Sequence, residues 1–151
     1  MTPPPFRTAQ DSGLLAPPEC ELLLDNAPKC DVGRSPLHGF GLFCRVPIQN
    51  GEGIVDFSDS RVYREVAFAD LEDWRIRGTK YQPLGDGRCL VSAVLTKYSV
   101  VNHSRTPSAG VDLERRMVIA IRDIAPGEEI TTDYRKDPFP DAALPFVEPW
   151  L

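Results

Sequence analysis

Three short segments carry the residue types from which a reaction could be built. Val100-Val101 runs into Asn102-His103-Ser104 and then Arg105-Thr106-Pro107, so an amide, an imidazole and a hydroxyl sit where a buried apolar strand ends. Polar groups at such a place must be satisfied by the protein or by a ligand. His38-Gly39-Phe40-Gly41-Leu42-Phe43 sets two glycines one residue apart as an apolar strand begins, which lets the backbone turn with positive φ or approach a ligand closely. Gly127-Glu128-Glu129-Ile130-Thr131-Thr132-Asp133-Tyr134 reads as a turn, a short strand and an acid-tyrosine pair. Taken singly, each segment has an ordinary reading: a tight turn, a satisfied histidine, a half-buried tyrosine.

Other chemistries lack their parts. The chain holds two histidines, His38 and His103, and four cysteines, Cys20, Cys30, Cys44 and Cys89, spread singly without a Cys-x-x-Cys pair. No zinc or other metal site is expected, and the thiols are expected to be reduced and buried. There is no Walker loop, nucleophile elbow or paired-histidine motif, and the glycine pair lacks the third glycine of a dinucleotide fingerprint. A net charge of -5 and pI near 5.0 oppose a nucleic-acid partner. Apolar runs are too short for a membrane span, and the Met1-Thr2-Pro3-Pro4-Pro5 start does not resemble a secretory signal, so a cytoplasmic address is expected.

The elements that must position these residues are mostly β. With 151 residues one domain is expected. Strands are expected at 40–45, 53–57, 88–94, 98–101, 109–113, 116–121 and 129–131, broken by glycine and proline. One inserted helix is expected over 61–77, because Tyr63, Val66, Ala67, Leu71 and Trp74 recur at three- and four-residue spacing. Nine of the fifteen prolines lie in the first eighteen and the last fourteen residues. Residues 1–30 read as a proline-rich arm, 31–136 as the core, and 137–151 as an aromatic tail that packs on the core.

Together and in this order, the three segments resemble the SET domain, the fold of protein lysine methyltransferases. Arg34 to Phe43 is similar to the family's opening motif, and Ile48-Gln49-Asn50-Gly51-Glu52 to its I-x-x-G-E. Asn102-His103-Ser104 matches its Asn-His-Ser, and Ile124 to Tyr134 its last motif. The resemblance implies a β-clip-like fold of small curved sheets in which the last two segments thread together as a pseudoknot. It implies S-adenosylmethionine as cofactor, with the backbone of His38, Gly39, Phe40 and Gly41 touching it and Asn102 and His103 holding its amino-acid and adenine ends. Tyr134 would be the active-site tyrosine, also beside the cofactor, and Tyr81 a wall of the acceptor channel, with Phe139, Phe146 or Trp150 from the tail.

The implied partner is a protein or peptide lysine. Methyl transfer to an amine is an in-line displacement, so the protein supplies alignment, an apolar channel that favours the neutral amine, and aromatic faces for positive charge. Departures from the pattern are Ser99-Val100-Val101 where many members have an arginine and an aromatic, and Arg105 and Ser108 in place of a cysteine and an asparagine. With no cysteine after Cys89, the zinc-bound tail of many members is missing. The chain in this respect resembles compact viral and bacterial members. Two alternatives stay open at the level of sequence: a small-molecule amine as acceptor, or a non-catalytic interaction domain on the same scaffold.

Overall fold

The computed structural model describes residues 23–71, 80–92 and 94–151. Ten strands in three small sheets dominate them: β1 (Cys30–Arg34), β2 (Phe40–Cys44), β3 (Gly53–Asp56), β4 (Tyr63–Ala67), β5 (Gln82–Gly85), β6 (Arg88–Ser92), β7 (Asn102–His103), β8 (Ala109–Asp112), β9 (Met117–Ala120) and β10 (Glu129–Thr132). The sheets order as β1-β2-β10-β7, β3-β9-β8 and β4-β6-β5. Helical structure among the described residues consists of short 3-10 turns, Phe68–Asp70 among them and followed by a helical Leu71, and of α1 (Leu144–Val147).

Local chemistry makes the hairpins. Gly39 closes the β1–β2 hairpin at φ 46°, a left-handed value that any residue with a Cβ adopts at a cost. Asp86 and Gly87 sit at φ 54° and 73° between Gly85 and Arg88, the two-residue loop whose twist suits an antiparallel pair. The exception to hairpin logic positions the site. β10 enters between β2, to which it is antiparallel, and β7, to which it is parallel through Thr131↔Asn102 and Thr132↔His103. A parallel contact needs a crossover, supplied here by the chain from Ser104 to Glu128 that carries β8 and β9.

Two apolar clusters hold the sheets. The larger joins Leu42, Ile48, Val55, Phe57, Tyr98, Val100, Ile124 and Ile130, with Leu23 and Ala27 from the segment before β1 and Cys30 at its start. Each fully buried aliphatic side chain there contributes about 1.5–3 kcal/mol of transfer free energy. The smaller cluster gathers Val66, Leu71, Tyr81, Cys89, Val91, Tyr134 and Val147, with Phe139, Leu144 and Leu151 packed on it. Residues 1–22 of the expected arm lie outside the described residues, as does Cys20. Burial pushes the free Cys30 thiol up to about 12 and that of Cys89 to about 11. No helix among the described residues is long and apolar enough to cross a membrane.

Two expected elements are corrected, and two unexpected strands appear. The helix over 61–77 is a strand where it is described at 63–67, while 72–77 lie outside the described residues. Tyr63 and Val66 are buried at helical spacing, but β6 offers a five-residue antiparallel partner, and Arg88 bonds Glu65 across it at 2.9 Å. Pairing outweighs a periodicity that a short strand can imitate. The strand over 98–101 is a 3-10 turn, Lys97–Val100, and strand begins only at Asn102. Thr96 opens that turn, its N–H facing Ser99 Oγ at 3.4 Å. β1 and β5 are strands that the sequence pattern did not predict.

Candidate active site

Asn102 is 3% exposed and works as a clasp. Its Nδ2 reaches the His38 carbonyl at 3.0 Å, the Phe40 carbonyl at 2.9 Å and Glu129 Oε2 at 3.0 Å. Two hydrogens serve three acceptors, so one is shared, and the amide ties the loop before β2 to β7 and β10. Glu129 completes the tie by accepting from Ser35 Oγ at 2.7 Å. Gly41 lies directly beneath that carboxylate: a Cβ built on it would come within 2.6 Å of Glu129 Oε2. A side chain here would push the carboxylate off its partners, so the glycine lets the clasp close. Phe40 turns its ring into the larger core, leaving its backbone to face the clasp, and His38 is exposed.

His103 follows on β7 and is bonded through Nδ1. The Tyr134 N–H donates to its Nδ1 at 3.0 Å, and the two rings lie 5.2 Å apart. Burial holds His103 below its usual value against the pull of Asp133, so the ring is neutral and its proton sits on Nε2. That Nε2–H is buried and finds no partner among the described residues. The Thr132 hydroxyl, at the position paired with His103, is in the same state. Buried polar atoms are satisfied in the great majority of folded proteins, so two left open at paired positions set this face apart. Arg135 grips Asp133 in a bidentate pair at 2.9 and 2.7 Å and pulls that carboxyl down to about 2.

An aromatic pocket borders this polar face. Tyr134 is 5% exposed, and its hydroxyl donates to the Val101 carbonyl. Tyr98 packs against Phe57 in a stacked pair with centroids 4.9 Å apart, and its hydroxyl donates to Gln82 Oε1. Lys80 Nζ lies over both tyrosine rings, 4.4 Å from the Tyr98 centroid and 4.2 Å from that of Tyr134. Tyr81 shares the smaller core with Tyr134 and meets Phe139 edge-on at 6.2 Å. The structure thus brings Asn102, His103, Tyr134 and the His38–Gly41 backbone to one place, with Tyr81 and Phe139 beside Tyr134. The side chains of Phe146 and Trp150 lie outside the described residues.

Sequence reasoning missed Glu129, Lys80, Gln82, Tyr98 and Asp137. Glu129 was discoverable, since it alternates with Ile130 on a strand in register with Phe43. The others come from separate segments and leave no local signal. An open cleft of about 430 Å³ lined by Asp25, Asn26, Asp56, Asp59 and Tyr63 contains none of the expected site residues.

Comparison with known proteins agrees with this geometry. The SET domain matches residues 39–135, more than half of the chain. The histone-lysine N-methyltransferase trithorax of Drosophila virilis is 32% identical over 128 residues, covering 76% of this chain and 3% of trithorax. An H3 lysine-4 specific histone-lysine N-methyltransferase of Yarrowia lipolytica is 34% identical over 116 residues, covering 68% of this chain and 10% of that protein. The chain thus spans a tenth or less of the length of these curated relatives. Among solved structures, a humanized mutant of the Chaetomium thermophilum Polycomb Repressive Complex 2 bound to an inhibitor matches 77% of this chain and 16% of its own, at 26% identity and a TM-score of 0.56. The interlock of β10 with β7, reached from the sequence motifs and found again in the sheet order, is therefore that of a known fold: this chain belongs to the SET-domain family.

Proposed function

We infer that the chain is a protein-lysine methyltransferase that uses S-adenosylmethionine. The observation that carries this reading is the pair of open polar atoms, His103 Nε2 and Thr132 Oγ1, one residue from the Asn102 clasp and beside Tyr134. Their surroundings suit a ligand with hydrogen-bonding edges. The backbone of His38, Gly39, Phe40 and Gly41 would line it on one side and His103 would donate from the other. Asn102 shapes the loop, since its amide hydrogens are already committed there.

When bound, S-adenosylmethionine supplies an electrophilic methyl on a sulfonium. What this chain adds is alignment and environment. The Tyr134 hydroxyl and the Val101 carbonyl mark a hydrogen-bonding point for the acceptor amine. The low-polarity walls around Tyr81 and Tyr134 favour the neutral, attacking form of that amine. Their ring faces favour the cation that forms. The net charge of -5 favours approach of a basic polypeptide.

Relatives named as histone-lysine methyltransferases make a histone H3 N-terminal peptide the first acceptor to offer. Incubation with methyl-labelled S-adenosylmethionine should place label on a peptide lysine, with Tyr134→Phe strongly reduced. Label on free small amines but on no lysine of a protein mixture would overturn the choice of acceptor.

A further inference from the structure

Lys80 is only 4% exposed, an unusual state for a lysine. Its Nζ donates to the Val101 carbonyl at 3.3 Å and is sandwiched by the Tyr98 and Tyr134 rings. The same carbonyl accepts the Tyr134 hydroxyl, so amine and hydroxyl converge on one oxygen. Burial drops the Lys80 amine to about 7, against the opposing pull of Asp137. Asp137, bonded by Gln82 Nε2 at 3.1 Å, is itself raised to about 6, chiefly by burial. The Gln82 carbonyl accepts from Tyr98, so Gln82, Asp137, Tyr98, Tyr134 and Val101 form one enclosure around the amine.

An enclosure of ring faces and a carbonyl, next to the tyrosine that bears on transfer, is what an acceptor lysine requires. Here it is filled by a lysine of the chain itself. We propose that Lys80 is an internal stand-in for the acceptor: its amine occupies the acceptor's place at Tyr134, and a foreign lysine enters only when the Lys80 side chain leaves. This rests on Tyr134 bordering the acceptor, as inferred above. Departure is chemically accessible, because a flexible four-carbon stem can return the amine to water and regain hydration that burial withholds. A site closed in this way lowers the apparent affinity for acceptors by the fraction of molecules that are open.

The test separates occupancy from activity. The full chain, with ¹³C at lysine Cε and in the tyrosine rings, is titrated with butylammonium chloride as the smallest mimic of a lysine side chain. In the wild type, the Lys80 Cε signal, displaced by two ring faces, should move to the solvent-exposed position together with the Tyr134 signals. In Lys80→Ala the Tyr134 signals should respond at concentrations at least ~10-fold lower, since no internal competitor remains. Lys80→Met, which keeps most of the volume without the charge, serves if the alanine variant loses its fold, and should respond at intermediate concentrations. Equal midpoints in wild type and variants, Tyr134 shifts while Lys80 stays put, or no response from any form would each overturn the proposal. Labelled-methyl transfer to the H3 peptide is read in parallel. Displacement without transfer in any form would sink the methyltransferase reading and leave the occupancy of this place established.

Discussion

The polar face around Asn102 and the aromatic pocket around Tyr134 meet at β7 and β10, yet they are built on opposite logic. On the first, backbone carbonyls, a carboxylate and an amide satisfy one another, leaving two buried polar atoms open. In the second, ring faces and a carbonyl enclose an amine that belongs to the chain. A face of fixed hydrogen-bonding groups suits a ligand that is the same in every turnover. A pocket of ring faces, indifferent to what lies beyond the amine, suits a ligand that must come and go.

The sharpest way to break this contrast is to change one side and read the other. Tyr134→Phe keeps the ring and removes the hydroxyl, so methyl transfer should fall by about 100-fold, the scale of a lost proton-handling or orienting group. Cofactor affinity should change less than about 3-fold, or about 0.6 kcal/mol. A parallel loss of both would mean the two regions are one.

Asn102→Asp tests the clasp by stability. It sets a carboxylate against Glu129 and two carbonyls, leaving three acceptors without their donor. Chemical denaturation should show a loss of about 2–4 kcal/mol; a loss below 1 kcal/mol would show the clasp to be dispensable. Gly39→Ala forces a Cβ onto a residue at φ 46°, and the unfolding free energy should fall by about 1–2 kcal/mol with the pocket unaffected.

The aromatic pocket is tested by a pH dependence. Lys80 is held at about 7 in the folded chain against 10.5 when free, so between these values the unfolded chain binds more protons and stability rises with pH. Below about 7 the cost of burying the charge is present in full. Asp137 acts with opposite sign at lower pH: raised to about 6, it makes stability fall as pH rises from 3.8 towards 6. The groups facing Lys80 are Asp137, Tyr98 and Tyr134, and only Asp137 is negatively charged near neutrality. Melting temperatures of wild type and Lys80→Met should therefore converge from pH 7 to 10. A constant difference would mean that the amine carries its charge throughout.

These regions also differ in how far the sequence reveals them. His38 to Gly41, Asn102-His103 and Gly127 to Tyr134 are contiguous, and close approach, buried polarity and turn chemistry each leave a local mark. Their convergence through a parallel β7–β10 contact is long-range, and it was reached only because the motifs resembled a known family. The aromatic pocket draws Lys80, Gln82, Tyr98 and Asp137 from segments whose local pattern says nothing of one another. The strand at Tyr63–Ala67 shows the same limit, since two apolar residues three apart satisfy a helix or a short paired strand equally well, and only β6 decides. β5 was legible in principle, because Asp86-Gly87 before the apolar run of β6 is a hairpin signal.

The central claim is that the polar face with its open His103 nitrogen holds S-adenosylmethionine. Calorimetric titration of the wild-type chain and of His103→Ala tests it directly. Saturable binding that weakens at least ~10-fold, about 1.4 kcal/mol, when the imidazole is removed is the predicted result. Equal affinity in both proteins, or no binding by a folded wild-type chain, would contradict it.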